Sequence, residues 1–262
     1  MCTVTFIARH NGYALGMNRD EKLTRAVALP PSRLRLDGRT ILCPSEPNGG
    51  TWMGVNDAGA TLALINWYSV PDHAGGRPVS RGEVVKQVLF GDSAVRVDGA
   101  LSELPLNRVN PFRLIGVFPA SQTVVEWRWN LWRIERVAHH WRPNTWISSG
   151  FDEPGAQQTR GKTFGEALRQ RPAGGPNWLR RLHRSHTPES GPYSICLHRD
   201  DAATVSYTDI TVSRQTAIMR YAPGAPCCTP PLPAFRLRLH RWHQAALSLH
   251  LELEEQAESL AN

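Results

Sequence analysis

The chain has 262 residues, 41% hydrophobic and 20% charged, a balance that suits a soluble globular protein with a substantial core. Its net charge of +7 is carried mainly by arginine, the only lysines being Lys22, Lys86 and Lys162, and no basic run marks a nucleic-acid binder. No stretch approaches the roughly 20 apolar residues of a membrane span, no basic-then-apolar leader opens the sequence, and five cysteines without a C-x-x-C pair exclude a disulfide framework or zinc ribbon and fit a reducing, cytoplasmic setting.

The first element presents a cysteine. Removal of Met1 would leave Cys2 with a thiol and a free α-amine on one residue. Thr3–Ala8 alternates as a strand does, Asn11-Gly12 is a strong hairpin signal, and Tyr13–Met17 runs back. A two-residue turn at Asn11-Gly12 sets Cys2 opposite Glu21, and a three-residue loop sets it opposite Asp20. Either register brings Asn18-Arg19-Asp20-Glu21 to the chain start. An N-terminal thiol needs no separate histidine, because an α-amine of pKa about 7.7–8.0 can take its proton while a carboxylate such as Asp20 orients the amine.

A second hairpin is predicted from Thr51–Val55, a turn at Asn56–Gly59 and a nearly continuous apolar strand over Ala60–Asn66. Asn66, a polar amide ending that strand before Trp67 and Tyr68, is a candidate oxyanion donor or a turn residue. Ser80-Arg81-Gly82-Glu83 reads as a capping box opening a helix with an apolar stripe of Val84, Val85, Val88 and Leu89 and a stop at Gly91. A short helix over 93–104 follows. Strands are expected at Phe112–Phe118, Thr123–Trp129, Trp132–Val137 and Thr145–Ser149, with Trp127 and Trp129 packing one strand face against helices. Phe164–Arg169 and Trp178–His183 look helical. Tyr193–His198, Thr204–Thr208, Thr216–Tyr221 and Phe235–Arg241 return to strand, with Cys196 a small core residue and Cys227-Cys228 in a rigid proline-rich surface loop. Leu247–Leu260 is a terminal helix or frayed tail. This order predicts one α+β layered domain over residues 1–262, its tail at 245–262. The histidine pairs His139-His140, His183/His186 and His240/His243 lack accompanying carboxylate or cysteine spacing, so no metal site is expected.

Met1-Cys2, Asn18-Arg19-Asp20-Glu21, Gly49–Gly54, Asn66 and Ser80–Glu83 together resemble the NRDE family, which includes transport and Golgi organisation 2, over roughly the first 90 residues. The resemblance implies the Ntn-hydrolase fold, a four-layer αββα sandwich with two antiparallel sheets. More remotely the chain is similar to choloylglycine hydrolases and penicillin V acylases, which cleave amides with an N-terminal cysteine. By that resemblance Cys2 is the nucleophile, Asp20 the amine-orienting acid and Asn66 an oxyanion donor, with Asn18, Arg19 and Trp67 beside the substrate. Amide-cleaving relatives place an arginine where this chain has Met17, and Arg19 is expected on the opposite strand face from that position. Ser149 stands where they carry a later catalytic asparagine, and Arg199 is the counterpart offered for their late arginine. The implied activity is hydrolysis of a small acyl amide without a cofactor. Family members linked to haem trafficking and acyl-CoA or lipid homeostasis imply an alternative, a non-catalytic carrier with haem or CoA as ligand.

Overall fold

A computed structural model describes residues 2–76, 78–170 and 173–240. Alternation along the first two strands decides which side chains meet. In β1 (Cys2–Arg9), Cys2, Val4 and Phe6 point into an apolar layer shared with Tyr13, Leu15 and Met17 of β2 (Gly12–Lys22). Ile7 and Ala14, of opposite parity, pack outward against helices. The hairpin turns through His10 and Asn11, because Gly12 pairs with Arg9 inside the ladder. Gly12 has φ +135° and lies so close to the next strand that a Cβ would sit 2.1 Å from the Val212 carbonyl oxygen. The glycine therefore serves strand approach and not the turn. This shifts the register, and Cys2 faces Arg19 in place of Asp20 or Glu21.

The remaining elements are β3 (Leu29–Leu36), β4 (Arg39–Ser45), β5 (Met53–Asn56), β6 (Thr61–Asn66), α1 (Arg81–Val88), α2 (Ala94–Ser102), β7 (Phe112–Phe118), β8 (Thr123–Trp129), β9 (Ile134–His139), β10 (Asn144–Ser148), α3 (Glu153–Arg169), α4 (Pro176–His183), β11 (Ala202–Val212), β12 (Thr216–Ala222) and β13 (Phe235–Arg238). Two antiparallel sheets result, ordered β10-β1-β2-β11-β12-β13 and β3-β4-β5-β6-β7-β8-β9. One apolar layer lies between the sheets. A second holds α1 and α2 against the seven-stranded sheet, where Trp127 and Trp129 pack as expected, and a third holds α3 and α4 against the six-stranded sheet. This is an α+β sandwich with the Ntn-hydrolase-like αββα order.

Several elements differ from the sequence reading. The β3–β4 hairpin was not expected, although its turn at Asp37-Gly38 carries positive φ of 46° and 74°, the requirement of a type I′ turn. The helix expected at 164–169 runs back to Glu153, started by the Asp152 carboxylate accepting from the Gly155 amide. Ser80 caps α1 through the Gly82 amide at 3.2 Å and not through Glu83. Residues 193–198 form no strand. The Ser194 hydroxyl bonds the Cys196 carbonyl, and the Leu197 amide bonds the Thr204 hydroxyl, so these groups are withdrawn from any ladder. The tail expected at 247–260 lies outside the described residues.

Candidate active site at the start of the first strand

Cys2 begins a strand held on both sides, opposite Arg19 on β2 and Ser148 on β10. Cys2 lines a cavity of about 310 Å³, which is also lined by Arg19, Asp20, Trp52, Asn66 and Arg81. Burial raises the Cys2 thiol above its ordinary value. The positive chain terminus and Arg19 oppose that shift, while the Asp20 charge adds to it. The thiol is thus a protonated group that needs a base to become a nucleophile.

Asp20 is buried and projects from the helix side of β2, opposite in parity to Arg19. Its carboxylate accepts from the Thr204 hydroxyl at 2.6 Å and from Arg160 Nη1 at 3.2 Å. Arg160 comes from α3 and also donates to the Thr3 hydroxyl at 2.9 Å and to the Pro192 carbonyl at 3.1 Å, so one buried guanidinium fixes both ends of the first hairpin.

Arg19 shares the face of Met17, since the two are separated by one residue on a strand; the expectation of opposite faces is corrected. Arg19 lies 4.7 Å from the centre of the Trp52 ring and 2.8 Å from Glu46 Oε1. Arg25 shares Glu46 at 2.8 Å and also pairs with Glu21 at 3.1 Å. Arg81 differs. It lines the cavity and donates to the Pro111 carbonyl at 3.1 Å, yet among the described residues it has no ion pair with a carboxylate. Burial lowers its pKa, reflecting an incompletely compensated charge.

Asn66 reaches the cavity from the end of β6, its Nδ2 donating to the Tyr68 hydroxyl at 2.7 Å. The other sequence candidates stand elsewhere. Asn18 is fully buried, donating to the carbonyls of His183 at 3.0 Å and Ile195 at 2.7 Å, which ties β2 to the segment after α4. Ser149 accepts from the amides of Phe151 and Asp152 and shapes the entry to α3, while Ser148 is the residue opposite Cys2. Trp67 bonds Pro111 through its backbone, and Arg199 pairs with Asp201 and lies over Phe151. None of these four lines the cavity. Trp52, Glu46, Arg81 and Arg160 escaped sequence reasoning. Of these, Trp52 and Arg81 had a local signal, lying inside motifs that carry the family resemblance without being given a role in the site.

The model of the family Transport and Golgi organisation 2 matches residues 1–130. Over that span, just under half of the chain, the sequence is similar to this family. Every cavity-lining residue falls within the family span, whereas Arg160 lies beyond it. No curated protein matches the chain. Among solved structures, a mutant conjugated bile acid hydrolase from Clostridium perfringens is similar with a TM-score of 0.54 at 8% identity, over 92% of this chain and 97% of that one. Penicillin V acylase from Agrobacterium tumefaciens gives 0.50 at 13% identity, over 91% and 86%. At such identities the likeness is one of fold, the Ntn-hydrolase-like αββα sandwich. No helix among the described residues is long and apolar enough to cross a membrane.

Proposed function

We propose that this protein is a cysteine N-terminal-nucleophile amidohydrolase whose small acyl substrate carries an anionic group. One observation supports it above the rest: Cys2, Asp20, Asn66 and an arginine without a carboxylate partner among the described residues share one polar cavity. Once Met1 is removed, the Cys2 α-amine takes the thiol proton, and the buried thiolate attacks the amide carbon. Asn66 Nδ2 turns from Tyr68 to the developing oxyanion. The α-ammonium then protonates the leaving amine, and water, deprotonated by the same amine, hydrolyses the thioester. Asp20, held by Arg160 and Thr204, keeps the amine oriented, and Arg81 binds the substrate's anionic group.

The carrier alternative draws less support, because among the described residues no histidine lines this cavity and Cys2 is its one soft ligand for haem iron. Intact mass is expected to show Met1 absent, with an electrophilic amide probe adding once to wild type and not to Cys2→Ala. Against a panel of acyl amides, Arg81→Met is expected to raise KM by about 10–100-fold for carboxylate-bearing substrates while kcat changes little. Retention of Met1, or equal labelling of Cys2→Ala, would overturn the reading.

A further inference from the structure

Away from this cavity, three separate stretches converge on one point. His186 follows α4, Cys196 and His198 lie in the irregular segment before β11, and Cys227 lies 29 residues beyond His198 in the proline-rich loop between β12 and β13. The ligand atoms of all four lie within 4.8 Å of one another. His198 Nε2 stands 3.7 Å from Cys196 Sγ and 3.4 Å from Cys227 Sγ. His186 Nε2 is buried with no hydrogen-bond partner among the described residues, and its ring centre is 5.0 Å from that of His198.

We propose that His186, Cys196, His198 and Cys227 form a tetrahedral site for zinc. With metal–sulfur bonds of about 2.3 Å and metal–nitrogen bonds of about 2.0–2.1 Å, a tetrahedral sulfur–nitrogen edge is about 3.6 Å, and the two observed edges bracket that length. The widest separation needs to contract by about 1 Å, which side-chain rotation supplies. Two thiolates and two imidazoles select zinc over calcium or magnesium, and four protein ligands leave no open position, so the site is structural. Its backbone is already braced: the Cys196 amide bonds the Ser185 carbonyl at 3.0 Å, and Ser194 bonds the Cys196 carbonyl at 2.6 Å. The Leu197 amide bonds the same Thr204 hydroxyl that donates to Asp20, so the ion would clamp the segment lying behind the candidate acid.

The pattern eludes motif reading because Cys-x-His is not a ribbon spacing and its partners come from distant segments. Exposed Cys228, beside Cys227, is an internal control that the geometry leaves out of the site.

Elemental analysis of the untagged chain, purified without chelator, is expected to give one zinc per chain. Cobalt(II) added to chelator-treated protein is expected to give thiolate-to-metal charge transfer and tetrahedral ligand-field bands. Cys227→Ser, in the loop, is expected to weaken zinc binding by at least about 100-fold, while Cys228→Ser leaves it unchanged. Absence of stoichiometric zinc together with a bare cobalt titration, an equal loss in Cys228→Ser, or a Cys196–Cys227 disulfide in freshly purified protein would overturn the site.

Discussion

Two buried groups under the six-stranded sheet titrate against each other. Asp209 on β11 has Arg180 Nε at 3.3 Å and Arg220 Nη1 at 3.6 Å, but neither carboxylate oxygen accepts a hydrogen bond from a described residue. Burial therefore outweighs both arginines and pushes the acid from 3.8 up to about 6. On α4, His183 is driven by burial from 6.5 down to about 3. Between pH 4 and 6 the folded state holds a proton on Asp209 that the unfolded chain has lost, so this group destabilises the fold as pH rises through that window. His183 acts the other way: the unfolded chain binds a proton below 6.5 that the fold refuses, so its contribution is full above 6.5 and is lost as pH falls. Their slopes nearly cancel around pH 5. In Asp209→Asn the cancellation is removed, and denaturant melts are expected to show stability rising with pH about 1 kcal/mol per unit more steeply than wild type between pH 4 and 6. At pH 7 the same variant is expected to be more stable than wild type, by on the order of 2–3 kcal/mol. Parallel pH profiles for the two proteins would show that Asp209 carries no raised pKa.

At the level of elements, α3 explains what the sequence concealed. The apolar stripe of α1 was legible because Val84, Val85, Val88 and Leu89 recur at helical spacing. Most of α3 was not, because Gly155, Gly161 and Gly165 dilute its pattern and its buried face includes Glu153, Arg160 and Thr163. Those polar residues are chosen for partners on other elements, which local periodicity does not encode: Glu153 bonds the Ser69 amide at 2.6 Å, and Arg160 bonds Thr3 and Asp20. The first hairpin was legible as an element and misread by register, since Gly12 obeys β11 and not its own turn. The candidate nucleophile survived that slip because it ends its strand, and Asp20 still reaches the same cavity from the opposite face. The buried ion pair gives this account a consequence. Arg160→Met is expected to lower stability by about 3–5 kcal/mol, since it removes the arginine that compensates a buried carboxylate. Adding Asp20→Asn is expected to restore part of that loss, and thermal melts of the two single variants and the double read the coupling. Additive losses would mean that the two side chains do not interact.

Across the whole molecule, the layer between the sheets changes character along its length. Toward the Cys2 end its walls are Arg19, Trp52, Asn66 and Arg81, and the sheets part to leave the cavity. Toward the hairpin turn it closes over Phe6, Tyr13, Val212 and Leu237. The sequence could not show which strand of one sheet lies over which strand of the other, because alternation marks the buried faces but not their mutual alignment. Tyr13 sets that alignment. Its ring packs in the layer at 5.9 Å from Phe6, while its hydroxyl crosses from β2 to bond the Gly59 carbonyl at 2.7 Å and the Thr61 hydroxyl. Both partners are buried or nearly so, and removing the phenol oxygen leaves them without this contact. Tyr13→Phe keeps the ring and its apolar contacts, so its cost isolates the polar tie between sheets. The expected loss is about 1–3 kcal/mol, or a fall in Tm of roughly 2–4 °C per kcal/mol for a chain of this size. Because Tyr13 stands near the hairpin turn, far along β2 from the residue facing Cys2, probe labelling at Cys2 is expected to keep its wild-type rate below the melting transition. A slowed labelling rate with unchanged Tm would instead place the control of the cavity in the distant end of the sandwich, and the alignment of the sheets would then be set elsewhere.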